Sequence, residues 1–159
     1  MIIQGGMGAG VSNWRLAQAV SKTGQLGVVS GTALDTIFSR RLQLGDPGGH
    51  MQRAMGHFPD ADMVDRILAR YYRPANGSGQ RPFKTPPMIS IDTDPHTKEV
   101  TVLAYFAEVF LATEGHENPV GTTLLEKVPL PNLYALYGAM LAGVDYVIMG
   151  AGIPREIPG

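Results

Sequence analysis

The sequence predicts an α/β fold built on a parallel sheet. Short apolar runs, such as residues 26–30 and 146–149, lack the alternation of a half-exposed strand, so both faces of these strands are expected to be covered. Amphipathic segments of helical period separate the runs, and a glycine-rich or polar loop follows most of them. These observations leave two architectures open, an open doubly wound sheet and a closed barrel.

The start of the chain predicts one strand-helix-strand unit. The isoleucine pair at residues 2–3 suits a strand, and the four glycines within residues 5–10 indicate a loop after it. Ser12 is the expected N-cap of a helix over residues 13–23. The apolar run at residues 26–30 then completes the unit as a second, buried strand.

The rest of the chain predicts further helices, two more strands and a long insertion. Strands are expected at residues 120–125 and 146–149. A helical or loop insertion, rich in proline and glycine, is expected between the second and third strands, at about residues 45–98. An apolar period of about 3.6 residues predicts helices over residues 32–44, 50–57, 60–73, 99–113 and 132–142.

Composition and charge exclude several classes of function. Thirteen basic and fourteen acidic residues leave a formal net charge of −1, which offers no attraction to nucleic acid or to an anionic membrane. The absence of cysteine excludes disulfides, a thiolate zinc site and a cysteine nucleophile. The sequence has no signal-peptide pattern and no apolar run of about 18 residues. We therefore expect a cytoplasmic protein that binds a small molecule.

The glycine-rich loop does not match the common nucleotide-binding fingerprints. A dinucleotide fingerprint, G-x-G-x-x-G, requires glycine three residues after Gly8, where this chain has Val11. The second strand ends in Val29-Ser30-Gly31, without the acidic residue that binds a ribose hydroxyl. No P-loop pattern occurs either. The glycines therefore indicate either a tight turn or the close approach of another group to the backbone.

Three segments resemble the nitronate monooxygenase family, formerly called 2-nitropropane dioxygenases. "IIQGGMGAGVSNWRLAQAVSKTGQLGVVS" is similar to a family strand that ends in I-Q-[AG]-[PG]-M and precedes a helix with L-A-x-A-V-S. "PVGTTLLEK" is similar to the family's P-x-G-x-N-L-L, and "AGVDYVIMGAGIPREIP" to its G-x-D-x-[VI] strand followed by G-x-G-x-P. FMN-dependent enoyl-acyl carrier protein reductases share the "IQGGM" opening and remain the alternative.

The resemblance implies the N-terminal half of a (β/α)8 TIM barrel, with FMN at the carboxyl ends of the strands. Such a barrel needs ~250 residues, so residues 1–159 are expected to be a single partial domain. Thr123 stands where the family usually has asparagine, and its hydroxyl offers fewer donors than an amide. The cofactor contacts that the resemblance implies are Gly5, Gly6, Met7, Gly8, Thr123 and Gly150.

The implied reaction is the FMN-dependent oxidation of an alkyl nitronate by dioxygen to a carbonyl compound and nitrite. The family's base is a histidine in the second half of the barrel, so these residues alone are predicted to be inactive. The alternatives are an enoyl reductase, with a nicotinamide donor and an acyl substrate, and a non-catalytic binding module. No metal site is predicted, because the spacing of the four histidines fits no ligand pair: His50, His57, His96 and His116.

Half a barrel would also leave two strand edges open. The first strand would lack the eighth as its neighbour, and the fourth would lack the fifth. Unpaired edges and exposed apolar strand residues favour association between molecules. A homo-oligomer is therefore expected.

Overall fold

The computed structural model describes residues 1–74, 82–92, 94–150 and 152. Six α-helices and three β-strands occur within these ranges. The strands are β1 (Gly27–Val29), β2 (Val120–Leu125) and β3 (Tyr146–Gly150). The helices are α1 (Trp14–Ser21), α2 (Leu34–Gln43), α3 (His50–Met55), α4 (Ala61–Tyr71), α5 (Pro95–Thr113) and α6 (Asn132–Leu141).

The strands form one open parallel sheet in the order β1-β2-β3. Residues 27–29 pair with residues 120–122, and residues 121–125 pair with residues 146–150. Helices α2 to α5 connect β1 to β2, and α6 connects β2 to β3. Because all three strands are parallel, their carboxyl ends lie at the same edge of the sheet.

The prediction of half a TIM barrel is wrong, because the described residues form a small open sheet of three strands. The predicted first strand is only an isolated bridge between Ile3 and Leu26. The pairing ends there because the side-chain Oε1 of Gln4 accepts the hydrogen bond from the N–H of Val28 at 2.9 Å. A side chain thus replaces the backbone carbonyl that would continue a parallel ladder, and the pairing stops after one bridge.

The sheet has two different faces. Val29, Val120 and Leu124 point towards the helices and belong to the buried core, against which Val147 and Met149 pack. The opposite face, here called the open face, consists of Val28, Gly121, Thr123, Leu125, Tyr146, Ile148 and Gly150. Leu125 is 40% exposed and Tyr146 48% exposed, so part of the open face is apolar and accessible to solvent.

Helix α5 is the centre of the fold, since it contacts β1, β2 and each of the other five described helices. All of its residues from Val100 to Val109 are buried. A buried carboxylate needs partners: Glu108 accepts a hydrogen bond from the backbone N–H of Trp14 (2.9 Å) and forms an ion pair with Arg41. These contacts hold the start of α1 and the end of α2 against α5.

Several predicted boundaries hold, and two helix starts differ for identifiable reasons. β2 has the predicted bounds. Asn13, not Ser12, is the N-cap of α1, because its side-chain oxygen accepts from the N–H groups of Arg15 (3.0 Å) and Leu16 (3.3 Å). α5 begins four residues before the predicted start, at Pro95. None of the helices within the described ranges combines the length and the hydropathy needed to cross a bilayer.

Candidate functional site

The glycine loop, residues 5–12, is organised by the hydroxyl of Ser12, which is buried with the rest of the residue. The hydroxyl donates to the carbonyl oxygen of Gly5 (3.1 Å) and accepts from the backbone N–H of Met7 (3.0 Å). The carbonyl of Ser12 accepts from the N–H of Ser30, immediately after β1 (2.8 Å). These bonds hold the loop against the carboxyl end of β1.

Gly6 lies directly on the open face of the sheet. An ideal Cβ on Gly6 would stand 2.6 Å from Cγ2 of Thr123 and 2.9 Å from Cγ1 of Val28. Carbon atoms in ordinary contact are about 3.5–4.0 Å apart, so the site has no room for a side chain. Glycine is therefore required at position 6 because the loop itself packs closely on Val28 and Thr123.

Thr123 ties β2 to the segment that follows β1. Its Oγ1 accepts a hydrogen bond from the N–H of Gly31 (3.0 Å), and the carbonyl of Gly31 accepts one from the hydroxyl of Tyr105 (2.8 Å). Burial, with a smaller contribution from the negative charge of Asp35, raises the pKa of Tyr105 far above its usual value. A hydroxyl can accept and donate at once, so Thr123 retains a proton to donate.

The other predicted cofactor residues lie around the same edge. Gly150 ends β3 opposite Leu125, whose Cδ2 would be 3.7 Å from an added Cβ. An added Cβ on Gly5 would meet only Cγ of Met7, at 3.6 Å, and Met7 is itself 70% exposed. Gly8 has a φ of +68°, in the left-handed region that favours glycine. The backbone therefore requires glycine at position 8, whereas positions 5 and 150 have space beside them.

The structure brings the glycine loop into contact with Thr123, and Gly150 follows two residues beyond Ile148, the β3 partner of Thr123. Within the described residues, the N–H groups of Gly5 and Gly6 donate no hydrogen bond. Free donors beside an exposed apolar face suit a flat ring with a polar edge, so these residues fit the isoalloxazine part of FMN. Residue 151 and residues 153–158 of the third resembling segment lie outside the described residues.

The histidines contact neighbouring helices and loops. The ring of His50 packs against Trp14, with centroids 5.0 Å apart. Its pKa is lowered by partial burial and by the charges of Arg15 and Arg53. Within the ranges that the structure describes, no group of three or more side chains could hold a metal ion. The remaining contacts are His57 with Phe110, His96 with Glu99, and His116 with the carbonyl of Ala112.

Sequence reasoning missed three residues that shape this edge of the sheet. Ser12 was expected to cap a helix, yet its hydroxyl organises the glycine loop. Gln4 and Tyr105 received no role, although they bind Val28 and Gly31. Both are polar side chains within otherwise apolar segments, and this contrast is the signal that could have identified them.

Comparison with known proteins found no relative. No protein-family model matches the chain, and neither a curated protein nor a solved structure does.

Proposed function

We propose that this protein is an FMN-dependent oxidoreductase that oxidises an alkyl nitronate with dioxygen, as its resemblance to nitronate monooxygenases implies. The supporting observation is that parts of the three resembling segments meet at one edge of the sheet. The glycine loop rests on Thr123, and Gly150 follows on the neighbouring strand. Ligands of parallel α/β sheets bind outside the carboxyl ends of the strands, which is where this edge lies.

The chain's own residues have distinct tasks in this proposal. The N–H groups of Gly5 and Gly6 and the hydroxyl of Thr123 hold the polar edge of the ring. The apolar side chains of Met7 and Ile148 cover the ring and exclude water from it. FMN, when bound, supplies the redox cycle that carries electrons between the nitronate and dioxygen. No catalytic base is assigned among the described residues.

A titration with FMN tests the proposed site directly. Resonances of residues 5–8 and of Thr123 are expected to shift in ¹H–¹⁵N NMR spectra as FMN is added, while the flavin fluorescence changes. We expect a Kd weaker than about 1 μM, because the assigned contacts hold the ring and not the phosphate. Shifts confined to other surfaces would contradict the proposal.

Gly5 is the position to alter, because an added Cβ there makes only an ordinary contact within the protein, 3.6 Å from Met7. We expect Gly5→Ala to weaken FMN binding about tenfold, equivalent to about 1.4 kcal/mol. Gly56→Ala is the matched control, since its added Cβ would lie 3.4 Å from the carbonyl oxygen of Arg53, remote in the chain from the glycine loop. Equal FMN affinities of the two variants would exclude the glycine loop from the binding site.

Turnover separates the proposed reaction from its alternatives. Nitrite formation from propane-2-nitronate and dioxygen supports nitronate oxidation. Consumption of NADH with an enoyl thioester supports the enoyl reductase instead. FMN binding at residues 5–8 with neither reaction would agree with the prediction that residues 1–159 alone are inactive. The function of this chain would then be that of a non-catalytic flavin-binding module.

A further inference from the structure

A cavity lies beyond the carboxyl ends of β1 and β2, between the starts of α2 and α6. Its volume is about 390 Å³, within the range of about 300–1,000 Å³ that is usual for small-molecule sites. Residues 31–36, residues 85–89, the start of α6 and the side chains of Thr101 and Tyr105 bound it. None of the six residues assigned to flavin contacts lines this cavity, although Gly31, which lines it, donates a hydrogen bond to Oγ1 of Thr123 (3.0 Å).

Residues 85–89 line the cavity as a strap that is anchored at Lys84. The N–H of Lys84 donates to Oε1 of Gln43 (2.7 Å), and Nε2 of Gln43 donates to the carbonyl of Lys84 (2.9 Å). Gln43 is buried at the end of α2, and Pro86 is the buried residue of the strap. A reciprocal pair of hydrogen bonds to a buried amide holds the strap in place, so the cavity is a defined part of the structure.

The walls of the cavity are mostly apolar, with Leu34, Ile89 and Val128 among them. Asp35 is the one charged side chain among the described residues that line it. One of its carboxylate oxygens accepts from the N–H of Thr36 (2.7 Å), and the other has no hydrogen-bond partner within the described ranges. This second oxygen is an acceptor that a ligand can use.

Two helix ends set the electrostatics around Asp35. α2 begins at Leu34 and α6 at Asn132, and both residues line the cavity. Asp35 lies in the first turn of α2, where the partial positive charge of the helix N-terminus opposes the carboxylate charge and weakens its attraction for a cation. The unpaired carboxylate oxygen in turn repels an anion. An uncharged ligand that donates a hydrogen bond matches this balance.

We propose that this cavity binds a small, uncharged, mostly apolar molecule that donates a hydrogen bond to Asp35. The proposal does not depend on flavin binding, because the two sites share none of their assigned residues. Ligand size is limited by the cavity volume of about 390 Å³. An aromatic or branched alcohol is the simplest molecule of this class.

Three probes of similar size test the proposal on the unaltered protein. 2-Phenylethanol has the apolar body and the donor, its methyl ether lacks the donor, and phenylacetate carries a negative charge. We expect 2-phenylethanol to shift the amide resonances of residues 31–36 and 85–89 in ¹H–¹⁵N NMR spectra. It should bind about tenfold more tightly than the ether, since hydrogen bonds to charged groups are the stronger ones. Phenylacetate should bind most weakly.

Asp35→Asn should abolish the preference for the alcohol over the ether. Its amide oxygen can still accept from the N–H of Thr36, so the helix start is retained, and the amide nitrogen then faces the ligand as a donor. Asp62→Asn is the matched control, because it removes a carboxylate from the first turn of α4 and does not line the cavity. It should leave all three affinities unchanged.

Several results would overturn the proposal: no binding of 2-phenylethanol at millimolar concentration, equal binding of alcohol and ether, or shifts away from the cavity. If Asp62→Asn lost the preference for the alcohol as fully as Asp35→Asn, the proposal would also be overturned, since the effect would then come from the overall charge of the protein. FMN is titrated separately in the same protein. Failure of FMN to bind would remove the proposed function and leave the cavity proposal unaffected.

Discussion

Gly6→Ala is expected to destabilise the fold although alanine adds only one methyl group. The added Cβ would stand 2.6 Å from Cγ2 of Thr123, 2.9 Å from Cγ1 of Val28 and 3.3 Å from the carbonyl oxygen of Val29. Relief requires the loop to move by about 1 Å, and the hydrogen bonds of Ser12 oppose that movement. Overpacking of this kind costs about 1–3 kcal/mol, so we expect the free energy of unfolding to fall by about 2 kcal/mol.

Thr123→Ser removes the methyl group that the new Cβ would meet and keeps the hydroxyl that accepts from Gly31. Alone, it should lower the free energy of unfolding by about 1 kcal/mol, the usual cost of one buried methyl group. In the double variant, Gly6→Ala with Thr123→Ser, we expect the combined loss to be smaller than the sum by about 1 kcal/mol. The relief is partial because the contact with Val28 persists.

The unaltered protein, the two single variants and the double variant form a double-mutant cycle. Their free energies of unfolding are measured in urea, with far-ultraviolet circular dichroism and the fluorescence of Trp14, the single tryptophan, as the two signals. Gly5→Ala is the control, because its added Cβ would be 3.6 Å from the nearest atom, in Met7. It should stay within about 0.5 kcal/mol of the unaltered protein. If Gly6→Ala is as stable as Gly5→Ala, or if the two substitutions in the double variant are additive, the loop does not pack on the open face as described.

Three further predictions concern the core and the surface. Glu108→Gln should lower the free energy of unfolding by about 3 kcal/mol, because Arg41 loses its buried carboxylate partner; an unchanged urea midpoint would refute this. Gly138→Ala should destabilise despite the better helix propensity of alanine, since its Cβ would lie 2.1 Å from the carbonyl oxygen of Val102; a raised thermal midpoint would refute it. Tyr137 is 54% exposed on α6, so Tyr137→Lys should reduce self-association as measured by light scattering. An unaltered protein that is monomeric at tens of micromolar would refute this.

The elements that could be predicted are those whose apolar period decides their structure. The strand at residues 120–125 consists of apolar and β-branched residues apart from Gly121, and β2 has those bounds. The start of α5 depends on a cap instead. Asp94 accepts from the N–H of Thr97 (3.2 Å) and Pro95 occupies the first turn, so the helix begins before its apolar period does. An aspartate followed by proline was therefore the better guide to that boundary.

The architecture could not be predicted, because open sheets and barrels use the same buried strands and differ in contacts between distant residues. Here the distinction begins at Gln4, whose side chain takes the N–H of Val28, 24 residues later in the chain. No local pattern around residues 2–4 contains that contact. The cavity beside Asp35 was missed for the same reason, since its walls come from residues 31–36, 85–89 and the start of α6.

Gly5, Gly6 and Gly8 differ in how the fold constrains them, and only position 5 can be used to test the proposed ligand without disturbing packing. Gly8 adopts a backbone conformation that favours glycine, and Gly6 has its side-chain space filled by Thr123 and Val28. A protein that bound nothing would still need glycine at both positions. Gly5 has neither constraint, and its N–H is without a hydrogen-bond partner within the described residues. A cofactor would give Gly5 the reason that the fold does not, so position 5 is where binding and packing can be measured apart.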